Sequence, residues 1–383
     1  MQDSLVSLAS ELIKAPSQTG KEGPAAAVML EAFEANGFDE AYLDEVGNAI
    51  GVIRRGEGRT LMLNGHIDTV PVGDPDLWPY PPLSGAVVNE RLWGRGACDM
   101  KSALACMVMA ASDAAAAGFE GTLIVSGVVQ EEVGGLGARH IAATLAYDAV
   151  VLGEPSKCRM MLGHRGANVV EVVFPGAIAH AARASLGENA LAHVARYVLA
   201  LEGLELPRGG ALGGSSATPT RVVSSPSDST NVVPGSAVLT VDYRSVPGEG
   251  PAEVVERLRS IAHDERIVVR IADSGRGGED ALRSTAAYLA DPDAPAVRVA
   301  REAFGRALAA VGRRFEEDVW WFCTDAPHLA RRGAAVIGFG PGEEELAHTT
   351  NESVAVADLH AARRAYAEFA KAYLARRKNG ETA

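Results

Sequence analysis

Apolar runs that end in a histidine or an acid recur along this chain. In TLMLNGHIDTV, Leu61, Met62 and Leu63 predict a short buried strand, and His66 and Asp68 follow it. GTLIVSGVVQEEVGG repeats the pattern, with a predicted strand from Leu123 to Val129 running into Glu131 and Glu132. In DAVVLGEPS the apolar stretch Ala149 to Leu152 leads to Glu154. AAVIGFGPGEEELAHTTNE does so again, from Ala334 through a glycine turn to His348. Helical spacing appears near Asp3 to Lys14, Pro24 to Asn36, Ala138 to Leu145 and Val354 to Arg377, and in the alanine-rich run that begins at Lys101 and stops at Gly118. Short strands are expected around Ala41 to Val46 and Ala49 to Arg54.

Strands alternating with helices predict an α/β fold: a mostly parallel sheet with helices on both faces. Ligands of such sheets sit beyond the carboxyl ends of the strands. Glutamate is rarely placed at a buried strand end without a partner. The polar strand ends are therefore expected to converge.

Between Arg165 and about Ser274 the pattern changes to strand, helix, strand, strand, helix, strand, which is the ferredoxin-like βαββαβ unit. The expected organisation is a first domain made of residues 1–164 and 275–383, with residues 165–274 inserted into it. The stretch DSGRGGED from Asp273 reads as the return linker, and the tail from Arg376 as frayed.

Composition narrows the function classes. Apolar residues make up 47% and charged residues 22%, which describes a soluble globular protein. No apolar run approaches the roughly 20 residues of a membrane span. The first residues lack a signal peptide's basic start and long apolar core, and read as an amphipathic helix. The net charge of -13 disfavours a nucleic-acid partner. Cys98, Cys106, Cys158 and Cys323 form no paired framework, so a cytoplasmic location is expected.

One further stretch carries chemistry. In WGRGACDMK, Gly94 and Gly96 permit a tight turn, and Asp99 stands directly ahead of the alanine-rich helix. Alone it reads as a helix cap. With His66, Glu132, Glu154 and His348 it makes a set of two imidazoles and three carboxylates. That exceeds the four ligands of one tetrahedral zinc and suits two metals sharing a bridging carboxylate. Mixed nitrogen and oxygen donors favour zinc and admit cobalt or manganese. Asp68 is placed to orient the His66 ring. Of Glu131 and Glu132, one would ligate and the other act as general base. Glu344, four residues before His348, would either favour a cationic substrate or be one of three solvated loop glutamates.

At this point the chain resembles the dinuclear zinc amidohydrolase and exopeptidase family of acetylornithine deacetylase, succinyl-diaminopimelate desuccinylase, aminoacylase and glutamate carboxypeptidase. The similar segments are NGHIDTVP, GRGACDMK, QEEVGG, GEPS, NVVPGSAVLTVDYRSVPGE and GFGPGEEELAHTTNE, in the family's order. The resemblance implies that His66 and Glu154 hold one metal, Glu132 and His348 the other, and that Asp99 bridges them. It implies Glu131 as base, Asp68 as partner of His66, and a cis peptide between Asp99 and Met100.

It also implies that the inserted domain is a lid through which two chains dimerise, with His180 reaching the partner's active site. The usual Ser-Ser-Arg-Pro after that histidine is replaced here by Ala181, Ala182, Arg183 and Ala184. Asn231 and Arg244 would grip a substrate carboxylate, and Thr324 in FCTDA would touch substrate. The implied function is deacylation of a small N-acyl amino acid. A dipeptidase or glutamate-type carboxypeptidase with the same metals is the alternative, and a non-catalytic binding protein the remote one.

Overall fold

The computed structural model describes residues 3–275, 282–330 and 333–375. They divide into two compact units: Met1–Gly163 with Ala290–Trp320 and Thr324–Ala383, and His164–Leu289 with Trp321–Cys323. The expected linker from Asp273 runs into residues outside those described, and so does the tail from Arg376.

The first unit is α/β. Its main sheet runs in the order Glu40–Leu43, Ala49–Arg55, Gly121–Val128, Thr60–His66, Ala149–Leu152, Ala335–Gly338, Met160–His164, with Glu317–Trp320 also paired to Met160–His164. The four middle strands, from Gly121–Val128 to Ala335–Gly338, are parallel. Parallel neighbours need helical crossovers. Lys101–Ala117 crosses from Thr60–His66 to Gly121–Val128, and Leu136–Thr144 from there to Ala149–Leu152. The outer pairs are antiparallel. The first is closed by a tight turn, in which Asp44 Oδ1 accepts the backbone N–H of Val46, Gly47 and Asn48 at 2.9–3.1 Å.

Ala149–Leu152 is buried at every position, and Thr60–His66 at all but its first. That explains their unbroken apolar reading. Lys101–Ala117 packs against Val356–Tyr373 and Ser4–Lys14. Glycines on the sheet let it approach closely. A Cβ on Gly65 would lie 2.0 Å from Met100 Cε, and one on Gly153 would lie 2.5 Å from Met107 Cε. The residue after each of these glycines, His66 or Glu154, is thereby seated close to the start of this helix. The sequence pattern does not predict the small antiparallel sheet of Ala86–Val88, Arg91–Trp93 and Ser353–Ala355. Its strands are three residues each, too short to show a period.

The second unit carries Ala167–Pro175, helix Ala190–Glu202, Ser216–Ser225, Ser236–Arg244, helix Pro251–Arg259 and Val268–Ile271 in that sequence. The sheet order is Ser216–Ser225, Ser236–Arg244, Ala167–Pro175, Val268–Ile271, antiparallel throughout these four. This is the split βαββαβ arrangement. Ala167–Pro175 and Ser236–Arg244 alternate strictly between buried and half-buried residues. Their inward side chains, including Val170, Phe174, Leu239 and Val241, join Tyr197 and Leu258 in one core. Ser216–Ser225 is an edge strand with Val222 and Val223 exposed. No described helix is long and apolar enough to cross a membrane.

Candidate metal centre

The polar strand ends of the first unit meet. His66 closes its strand directly opposite Val128 of the parallel neighbour. Three residues later that neighbour enters the short turn Glu131–Val133, reached through Gln130 at φ 58°. Asp68 ties the two together. Its Oδ1 accepts Glu131 N–H at 3.0 Å, and its Oδ2 accepts Glu132 N–H at 3.3 Å and the Thr19 hydroxyl at 2.9 Å. The expected pairing of His66 with Asp68 takes a different form. His66 Nδ1 lies 2.9 Å from the Asp68 backbone oxygen and 3.6 Å from the nearer carboxylate oxygen, which is engaged by the turn. An Nδ1–H donated to that carbonyl aims Nε2 at the acids, where it would serve a metal once its proton is displaced.

Asp99 faces both histidines. Its Oδ1 is 3.0 Å from His66 Nε2, and its Oδ2 is 3.1 Å from His348 Nε2. Each ring has a glutamate beside it: Glu154 Oε2 at 3.8 Å from His66 Nε2, and Glu132 Oε1 at 3.1 Å from His348 Nε2. His348 arrives at φ 62°, in the left-handed region that few non-glycine residues adopt. The peptide between Asp99 and Met100 is cis. Donor atoms of His66, Glu131 and Glu154, and of His66, Asp99 and Glu132, lie within 4.8 Å of one another. Two imidazoles and four carboxylates therefore share one small volume.

The electrostatics fit a cation site. Burial, helped by Glu154 and Asp325, pushes the Glu131 carboxyl well above the usual range. Glu154 is raised the same way, burial acting first and the His66 ring opposing it. Burial works against a charged His66, yet Glu154 and Asp99 outweigh it and raise the ring. Buried negative charge in such excess is costly unless positive charge compensates it. Divalent ions are the compensation that these nitrogen and oxygen donors suit.

Sequence reasoning misses Asp325. This residue opens the short helix Ala326–Leu329, is buried, and titrates at about 7 because burial disfavours its charge. Its Oδ1 lies 2.3 Å from where a Cβ on Gly135 would stand, so it packs against the turn that carries Glu131. The sequence points instead to its neighbour Thr324. Thr324 is buried and its Oγ1 accepts Ala326 N–H at 3.2 Å, at the start of that helix. Glu344 is neither solvated nor available to a cationic substrate. It is buried, with Oε1 paired to Arg159 Nη2.

The remaining candidates lie in the second unit. His180 is exposed, its Nδ1 accepts Ala182 N–H at 3.1 Å, and its backbone pairs with Val232. Asn231 is adjacent, its backbone oxygen accepting Ala181 N–H at 2.8 Å. Arg244 ends its strand with Nε and Nη2 donated to the two carboxylate oxygens of Asp242 at 2.7 and 3.1 Å.

A model of the peptidase family M20/M25/M40 matches residues 62–372. The chain is 28% identical over 381 residues to the uncharacterized protein YgeY of Escherichia coli K12, covering 95% of this chain and 93% of YgeY. Among solved structures, the aminopeptidase PepT of Bacillus cereus superposes with a TM-score of 0.77 at 20% identity, covering 96% of this chain and 98% of that one. An M20 family metallo-carboxypeptidase, Sso-CP2 of Sulfolobus solfataricus, gives 0.75 at 17% identity, over 97% and 99% of the two chains. YXEP of Bacillus subtilis, a dinuclear metal binding peptidase from M20 family, gives 0.72 at 16% identity, over 97% of both. These structures share the fold.

Proposed function

The chain belongs to the peptidase family M20/M25/M40 and is a metal-dependent hydrolase, and from this we propose that it deacylates small N-acyl amino acids with two divalent metal ions, zinc in the first instance. The observation that carries the reading is the Asp99 carboxylate, set 3.0 Å from His66 Nε2 and 3.1 Å from His348 Nε2, with one glutamate beside each ring. His66 and Glu154 would hold one ion, Glu132 and His348 the other, and Asp99 both. The dinuclear character of YXEP supports the same count.

Ions held there would supply Lewis-acid chemistry, polarising an amide carbonyl and lowering the pKa of water. The rest of the work falls to side chains. Glu131 takes the proton of the attacking water and passes it to the leaving amine. Asp68 holds the backbone N–H of Glu131 and Glu132, and so fixes base and ligand in one register. Asp242 takes Nε and Nη2 of Arg244, leaving Nη1 for a substrate carboxylate, and Asn231, which stands beside His180 beyond the opposite end of the strand Ser236–Arg244, would join it from the partner chain. Thr324 would lie along the substrate. The free cysteines suit a cytoplasmic setting.

Dipeptidase or carboxypeptidase action with the same residues is the second reading, favoured by the aminopeptidase and carboxypeptidase among the structures that share the fold. Incubation with a panel of N-acetyl and N-succinyl amino acids and of dipeptides, with zinc and with a chelator, separates the two. Zinc-dependent release of free amino acid from the acylated panel is the expected result. Cleavage confined to the dipeptides would replace the first reading with the second.

The second unit would act as a lid through which two chains pair, and the exposed edge strand Ser216–Ser225 supports such pairing. His180 of one chain would then stabilise the oxyanion formed in the other. Glu131→Ala and His180→Ala chains are each expected to be nearly inactive. After random subunit exchange, about half the dimers are mixed, and in each of these one site has both groups. Activity should return to roughly a quarter of wild type. No recovery after demonstrated exchange would rule out the shared site and leave the metal chemistry standing.

A further inference from the structure

Next to Asp99 lies a buried ion pair that the chemistry above does not use. Glu352 is fully buried, and its Oε1 accepts the backbone N–H of Cys98 at 3.0 Å and of Asp99 at 3.1 Å. Its Oε2 is 2.5 Å from Arg95 Nη1. The guanidinium of Arg95 extends the contact in two directions. Nη1 reaches the Thr349 carbonyl at 3.4 Å and Nη2 the Pro71 carbonyl at 3.3 Å, while the group lies 5.0 Å over the Trp78 ring. The Glu352 carbonyl also accepts Gly94 N–H at 3.1 Å.

These contacts gather three segments. Thr349 adjoins His348, Pro71 follows His66 and Asp68 in one loop, and Cys98 and Asp99 carry the shared carboxylate. We infer that Glu352 and Arg95 form a positioning clamp that holds Asp99 and both histidine segments in register for two ions. The inference rests on the two-metal reading above. Geometry gives it force. A carboxylate offers two oxygens in a fixed plane, and here one faces two backbone donors while the other faces a guanidinium. An amide in its place would turn an NH₂ group toward donors on one side or the other. A guanidinium donates in several fixed directions at once, which an ammonium does not. Groups that orient metal ligands typically govern metal affinity by about 10–100-fold.

The test uses the metal-free full chain and its Glu352→Gln and Arg95→Lys variants, titrated with zinc in a calorimeter well below their melting temperatures. Circular dichroism and thermal melts of the same metal-free samples establish folding. Wild type should take up two ions, and each variant should bind them about 10–100-fold more weakly while remaining folded. Arg95→Lys keeps the charge but loses the reach to Thr349 and Pro71, so it carries the test if Glu352→Gln does not fold. Folded variants with wild-type affinity would overturn the clamp, and so would a lowered melting temperature with unchanged affinity. Wild type taking up no pair of ions would instead overturn the two-metal reading, which keeps the two failures distinct.

Discussion

Glu131→Gln should lower kcat by about 10²–10⁴-fold while leaving the metal content unchanged. The change removes the ability to take a proton, together with the carboxylate charge. The side chain keeps its length, and its backbone N–H still reaches Asp68 at 3.0 Å. Glu132 next to it keeps its place at 3.1 Å from His348. Substrate binding draws on other groups, so the loss should fall on kcat and spare KM. Burial and the neighbouring Glu154 and Asp325 raise the wild-type carboxyl well above the usual range, which is the direction of stronger basicity. Turnover near wild type, measured with metal content on the same sample, would place the base elsewhere.

The strand ends are legible in the sequence because the physics behind them is periodic and local. Ala149–Leu152 is buried at every position, so it reads as an unbroken apolar run, and Glu154 stands out just beyond it. Ala167–Pro175 alternates between buried and half-buried positions in the structure, but its sequence ANVVEVVFP is apolar on both sides and does not show it. Contacts between distant segments are not legible. Glu352 looks like one more loop acid, and only the fold brings it to backbone donors 254 and 253 residues away. Asp325 has no local signal, because the helix it opens is only four residues long, and its approach to the Glu131 turn follows from how Gly135 packs. Glu344 reads as a solvated acid or a substrate contact because nothing local announces Arg159, 185 residues away. Asp68 is legible as the partner of His66, but not the exchange of roles by which its carbonyl meets the ring while its carboxylate holds the turn.

Asp99→Ala should abolish activity more completely than Glu131→Gln, and should do so by emptying both metal positions. In the wild-type centre each imidazole has its own glutamate, but one carboxylate serves both rings, at 3.0 and 3.1 Å. In the two-metal reading, its removal would take a ligand from each ion and a negative charge from between them. Two cations spaced about 3.5–4 Å apart repel, and a bridging carboxylate is the group that offsets this. Losing Asp99 is therefore expected to cost more than losing either glutamate, whose effect stays with one ion. Metal analysis should fall from about two ions per chain to well below one. Activity should fall beyond the roughly 10²–10⁴-fold expected for loss of the base, to the level of chelated wild type. The backbone at this position is held by Glu352 through the N–H groups of Cys98 and Asp99, which the substitution leaves in place, so the fold should persist. Asp99→Asn provides the comparison: it keeps the shape, loses the charge, and should retain at most weak binding. If either variant held two ions and turned over at the wild-type rate, Asp99 would be a helix-start residue and the shared-ligand reading would fall.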